Sequence, residues 1–183
     1  MSHETFRNQL VQLVSSTSAD SAAFLEGLSP IHFDWHNQGV RTYGFLLFHH
    51  RVVRYFERVV GSQLPAPIKG FTEQELTAMQ VQPYNRDLSH DDTLAELAGA
   101  STSIEDWHNG AHMGIGMATG VPMMDPRQNI FFRAFWQLHL YIDGLFTPML
   151  RQYGDRAHPG QFVTPNAVAS HIEARHHGWV GQI

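Results

Sequence analysis

Residues 44–61 read GFLLFHHRVVRYFERVVG. Phe45, Leu46, Phe48, Val52, Val53, Phe56, Val59 and Val60 recur mostly three and four residues apart, which lays them along one broad face of an α-helix. Gly61 supplies the stop, since glycine takes the backbone turn after a helix without a steric penalty. Two histidines, His49 and His50, lie inside this apolar stretch. Adjacent helix positions diverge by about 100°, so one of the two points into the core and the other out.

A helix this apolar needs partners, and the flanking sequence supplies them. Upstream, Phe6, Leu10, Leu13 and Val14 repeat near helical period, and Phe24 to Leu28 form a shorter apolar piece. Downstream, Pro65, Pro67, Gly70 and Pro83 break up the chain as far as residue 100, which reads as a connector with short helical turns after Thr72 and Asp91. Thr102-Ser103-Ile104-Glu105 has the form of a capping box opening a second strong helix, expected to fade at Gly114, Gly116 and Gly120. A last helix is expected from about Ile130 to Gln152, with Phe131, Phe135, Leu138, Ile142, Leu145 and Met149 on one face and Pro148 kinking it or ending it early. From Tyr153 onward the chain is rich in Gly, Pro and His and reads as irregular. No segment alternates with the period of a strand. The expectation is an all-α fold, with a four-helix-bundle core and irregular connectors.

Composition narrows the function. At 183 residues with 43% hydrophobic and 16% charged side chains, residues 1–183 suit one domain with a sizeable core. A net charge of -5 without any Lys/Arg-dense run offers nothing to a phosphate backbone or an anionic lipid surface, which argues against nucleic acid and membrane. The absence of cysteine excludes disulfides, thiolate zinc sites and thiol catalysis. With a polar start and no apolar run near the roughly 18 residues of a spanning helix, a soluble, cytosolic protein is expected. The 13 histidines stand out and point to nitrogen ligation of a metal such as Zn, Cu, Fe or Ni.

His108 and His112 are four residues apart on one expected helix, so their rings share a face and can reach one metal. His139 sits among Phe135, Trp136, Leu138 and Leu140, and Asp143 follows one turn later. A buried imidazole needs partners for its nitrogens: a metal and a carboxylate would serve, and so would Asp143 alone. The first half repeats the pattern with His32, His36 and one of His49 and His50. Two such sets from four helical segments would build a binuclear site in a bundle core.

Two segments carry a resemblance. Residues 103–126, SIEDWHNGAHMGIGMATGVPMMDP, followed by FWQLHLYIDGLF at 135–146, resemble the copper-B half of the tyrosinase family: an E-x-x-H-N-x-x-H helix, an M-x-T-G loop, a D-P, and an F-x-x-x-H-x-x-x-D helix. Residues 44–57, GFLLFHHRVVRYFE, resemble its copper-A motif F-L-P-W-H-R-x-x-x-x-x-F-E. The resemblance implies a copper-A half over about 25–60, a connector over 61–100, a copper-B half over 101–152 and a tail over 153–183. It implies two copper ions, with His108, His112 and His139 on one and His49, His36 and His32 on the other, and His50 in the place of the family's Arg. Leu138 stands where the family usually has a further His, and extra residues lie between Pro126 and Phe135.

What the resemblance implies chemically is an oxygenase and oxidase that uses O₂ to ortho-hydroxylate monophenols and to oxidise catechols or o-aminophenols. Glu105 and Asn109 would hold the water that takes the phenolic proton, although Glu105 also reads as the partner of Thr102 in a cap. Phe135 would pack on the copper-B imidazoles and line the cavity, Met113 and Gly114 would border the substrate mouth, and Asp143 would accept a hydrogen bond behind a ligand. The connector and tail histidines His90, His158, His171, His176 and His177 read as solvated. A hemocyanin-like O₂ carrier and a DinB-like bundle with one metal on three histidines remain as alternatives. A homo-oligomer and a partner that delivers copper also stay open.

Overall fold

The computed structural model describes residues 19–37, 44–64, 66–85 and 94–153. Within them the fold is all-α and contains no strand. The helices are α1 (Ala19–Asn37), α2 (Gly44–Val59), α3 (Glu73–Ala78), α4 (Leu94–Thr119) and α5 (Arg133–Tyr153), with 3-10 turns at Gly61–Gln63 and Asn129–Phe131. The expected N-terminal helix around Phe6 to Val14, the tail beyond Tyr153, and His90, His158, His171, His176 and His177 lie outside the described residues.

The stretch that reads most clearly as a helix behaves as one. α2 buries Phe45, Leu46, Phe48, Val52, Val53 and Phe56. It packs chiefly against α5, where the Phe56 ring stacks on Trp136 with centroids 3.7 Å apart. α1 reaches the same core through Trp35, whose ring stacks on Phe48 at 4.8 Å. The short apolar piece at Phe24 to Leu28 is thus part of a helix that runs on through Pro30 and carries both His32 and His36.

Two expectations about helix ends need correction, and of the two outcomes expected at Pro148 the early end does not occur. α4 starts at Leu94, so Thr102 lies well inside it and is not an N-cap; the box with both reciprocal bonds is Thr72–Glu75, at the start of α3. α4 also passes Gly110, Gly114 and Gly116 without fading. An interior glycine costs a helix roughly 1 kcal/mol, and two of these recover it through close approach. A Cβ at Gly114 would stand 2.6 Å from Val81 Cγ2, and one at Gly116 would stand 3.2 Å from the Val121 carbonyl. The helix stops where the backbone turns left-handed, at Gly120 with φ +71. α5 continues past Pro148 to Tyr153. The carbonyl that loses its partner there belongs to Gly144.

Between α2 and α4, residues 66–85 cross over α4 and α5. Phe71 N–H donates to the Gln137 carbonyl, Tyr84 N–H to the Tyr141 hydroxyl, and Trp107 Nε1–H to the Gln82 carbonyl. No helix among the described residues is long and apolar enough to cross a membrane.

Candidate metal centre

Each histidine set comes together, and the two sets face each other. His32 and His36 from α1 meet His49 from α2, and His108 and His112 from α4 meet His139 from α5; in each set the nearest ring nitrogens lie within 4.8 Å of one another. In the first set the Nε2 atoms of His32 and His36 are 3.0 Å apart. In the second, those of His108 and His139 are 3.4 Å apart. Across the sets, His49 stacks on His139 at 4.4 Å between centroids and His36 lies parallel to His108 at 6.1 Å. His50 takes the outward position on α2, half-buried, and belongs to neither set.

Backbone carbonyls fix three of these rings. A carbonyl only accepts, so the nitrogen facing it carries the proton. His49 Nδ1–H donates to Phe45 at 2.8 Å, His32 Nδ1–H to Pro126 at 2.8 Å, and His112 Nδ1–H to Met123 at 2.6 Å. Each Nε2 is left with a lone pair turned into the site, the arrangement that orients metal-bound imidazoles. His49 Nε2 and His112 Nε2 are buried and have no partner, and nitrogens paired at 3.0–3.4 Å gain from a cation between them. The donor set therefore fits metal ions. Burial is the first cause that pulls the pKa of all six imidazoles below the usual 6.5, with neighbouring histidines adding to it for all but His112; His36 and His112 fall to about 4. The rings are neutral at pH 7, as ligation requires.

The loop after α4, residues 120–132, links the sets through Met123 and Pro126. Asp125 shapes it: its carboxylate accepts from Arg127 N–H at 2.9 Å and from the Gln128 amide, and its carbonyl accepts from Gln128 and Asn129 N–H. Ser29 Oγ donates to the Arg127 carbonyl, and the Arg127 guanidinium lies 3.5 Å over the Phe33 ring, which ties the loop to α1. A sequence pattern carries no record of where a backbone carbonyl points, so Met123 and Pro126 were not identified as supports in it. The Asp-Pro pair was the one visible trace.

A cavity of about 160 Å³ reaches both sets, lined by His36, His108, Asn109, His112, Met123, Met124, Pro126 and Asn129. Asn109 is exposed at its rim. Glu105 is half-buried one turn back on α4 and does not line it. Phe135 is fully buried, with ring centroids 4.2 Å from His139, 5.2 Å from His32 and 6.0 Å from His112. It packs between the sets and does not line the cavity. Met113 and Gly114 do not line it either: Met113 is exposed, and Gly114 faces Val81, because the mouth is formed by the loop and not by that face of α4. Asp143 is also placed differently from expectation. Its carboxylate lies 2.5 Å from His50 Nδ1 and 2.9 Å from the Arg54 guanidinium, while His139 Nδ1 is buried without a partner.

No family model, no curated protein and no solved structure matches the chain.

Proposed function

We propose that this chain is a tyrosinase-like enzyme whose four long helices form a bundle core around two copper ions, and which uses O₂ to ortho-hydroxylate monophenols and to oxidise catechols or o-aminophenols. The observation that carries this reading is the pair of facing three-histidine groups, His32, His36 and His49 opposite His108, His112 and His139. A bundle with one metal would use one set and leave at least two buried imidazoles of the other uncompensated, which costs stability with no return. Six neutral nitrogen donors with no thiolate or carboxylate among them suit copper in both oxidation states, and the tyrosinase-like motifs select copper among the metals that imidazole binds. When bound, the copper pair supplies the site where O₂ and two substrate electrons meet.

The chain's own residues do the rest. The cavity admits a ring to His36, His108 and His112, so a substrate entering there meets both sets. Phe135 keeps water out from between them and fixes the tilt of three imidazoles. A phenol must lose a proton of pKa near 10, which calls for a base at the cavity. Asn109 at the rim is suited to hold a water for that task, with Glu105 behind it on the same helix. This access to substrate favours an enzyme over an O₂ carrier.

Protein refolded with copper tests the reading. Two coppers per chain and oxidation of a catechol are expected, with both lost in His139→Ala and His49→Ala, since each removes one of three ligands. Asn109→Ala should keep both coppers and catechol oxidation while slowing monophenol hydroxylation by about 10²-fold, the lower end of the effect of a positioned base. One copper per chain, or full activity in either histidine variant, sinks the assignment.

A further inference from the structure

The two histidine sets differ in what stands behind their rings. A neutral imidazole that offers Nε2 to a metal carries its proton on Nδ1, and an acceptor for that proton holds the ring in place and makes it a more basic ligand. In the first set the Phe45 and Pro126 carbonyls accept from Nδ1–H of His49 and of His32, both at 2.8 Å. His36 is half-buried, and its Nδ1 is not among the buried nitrogens that lack a partner. In the second set only His112 is backed, by Met123. His108 and His139 turn their Nε2 atoms toward each other, 3.4 Å apart, and the Nδ1 atoms of both are buried without a partner. The acceptor one turn from His139 is Asp143, whose carboxylate is held by His50 and Arg54. A buried N–H with no acceptor is costly, and binding a metal through Nε2 makes that N–H obligatory at two of these three rings. The cavity adds a second difference. His108 and His112 line it, whereas of the first set only His36 does.

We propose that the two metal positions are unequal: the ion on His32, His36 and His49 binds first and stays, while the ion on His108, His112 and His139 is the exchangeable one, gained and lost through the cavity. This rests on the two-metal reading and adds a control to it. A chain with only the first position filled lacks the metal pair, so the supply of the second ion sets how much of the protein is active. Loss of an acceptor behind a metal-bound imidazole typically costs about 10–100-fold in metal affinity. The second set lacks two and should hold its ion at least roughly tenfold less tightly. Two cations on facing sets also repel each other, so a full centre gives up one ion readily whichever set is the weaker. Release in two steps therefore decides nothing, and the position of the ion that remains decides.

The experiment loads the full chain with zinc, which has no redox chemistry of its own, and withdraws it with increasing chelator. Native mass spectrometry counts the ions, and the ring-carbon NMR signals of the histidines show which set is filled. At one ion per chain, His32, His36 and His49 should keep the signals of the full protein while His108, His112 and His139 return to those of the metal-free one. The first position should be filled roughly ten times more often than the second, or more. Two variants repeat the comparison without repulsion between ions. His49→Ala, left with the second set, should lose its one ion at a chelator concentration about tenfold or more below that needed for His139→Ala, left with the first. Should either variant fail to fold, the wild-type spectra decide alone. Equal filling of the two positions, or an ion retained on His108, His112 and His139, overturns this proposal and leaves the two-metal centre standing. A chain that saturates at one ion, or takes up none, overturns the two-metal reading and this proposal with it. The expected order with zinc in a chain that refuses copper supports the proposal and defeats the choice of copper alone.

Discussion

At the scale of the residue, two adjacent histidines illustrate how position on a helix divides labour. His49 is buried with Nδ1–H bonded to its own helix at Phe45, and its free nitrogen faces the site. His50, one position on, turns outward to Asp143, which also accepts from Arg54 and is only 6% exposed. A nearly buried carboxylate needs its donors, so His50 ties α2 to α5 one turn beyond His139. His50→Ala should therefore leave metal uptake as in the wild type while lowering the unfolding free energy by about 1–2 kcal/mol, the cost of leaving part of that carboxylate unpaired. Metal content and denaturant melts on one sample check this; loss of a metal would move His50 into the site. That one of the pair points in was legible from the 100° step alone. That the carboxylate serves His50 and not His139 was not, because it depends on how α2 and α5 are turned against each other.

At the scale of the element, α4 shows why its start is hidden from the sequence and its face is not. His108 and His112 meet one another because residues four apart share a face wherever a helix begins, and the pattern survives an eight-residue error in the start. The ends depend on tertiary contacts that no local pattern records. Thr102-Ser103-Ile104-Glu105 fits the capping formula, yet the chain is already helical there; Gly114 and Gly116 weaken a helix in isolation, yet here they admit Val81 and the loop at Val121. Gly114→Ala should therefore destabilise the fold, against the usual gain from replacing a helical glycine. A Cβ 2.6 Å from Val81 Cγ2 forces a shift of the kind that costs about 1–3 kcal/mol in packed interiors. Adding Val81→Ala should recover part of the loss, since the clash is with that side chain. If Gly114→Ala is neutral or stabilising on its own, the close approach of α4 to the connector is wrong. Likewise the loop at Met123 and Pro126 places its carbonyls by way of a turn around Asp125, of which only the Asp-Pro pair shows in the sequence.

At the scale of the whole molecule, five buried imidazoles and the half-buried His36 make the core dependent on what occupies it. Burial, joined by neighbouring histidines at all but His112, holds all six below the ordinary 6.5, and His36 and His112 at about 4. In the unfolded chain the same side chains titrate near 6.5. Between those values the unfolded state binds more protons, so the stability of the metal-free protein is highest above about pH 6.5 and falls as the pH drops toward 4. His112 alone, carried across that whole interval, accounts for roughly 3 kcal/mol, a large share of what a domain of this size has. The metal-free protein should thus unfold in mild acid, before its carboxylates are protonated. Metal reverses the bias: it binds the neutral rings of the folded state only, so loaded protein should be more stable at pH 7 and should hold its fold to lower pH, by about one unit or more, until protons displace the ions. Chemical denaturation at pH 7, 6, 5 and 4.5, with and without copper, reads both effects. A metal-free protein equally stable at pH 7 and 4.5 would mean that the imidazoles are not held neutral in the core, and the two facing sets would lose the property that makes them ligands.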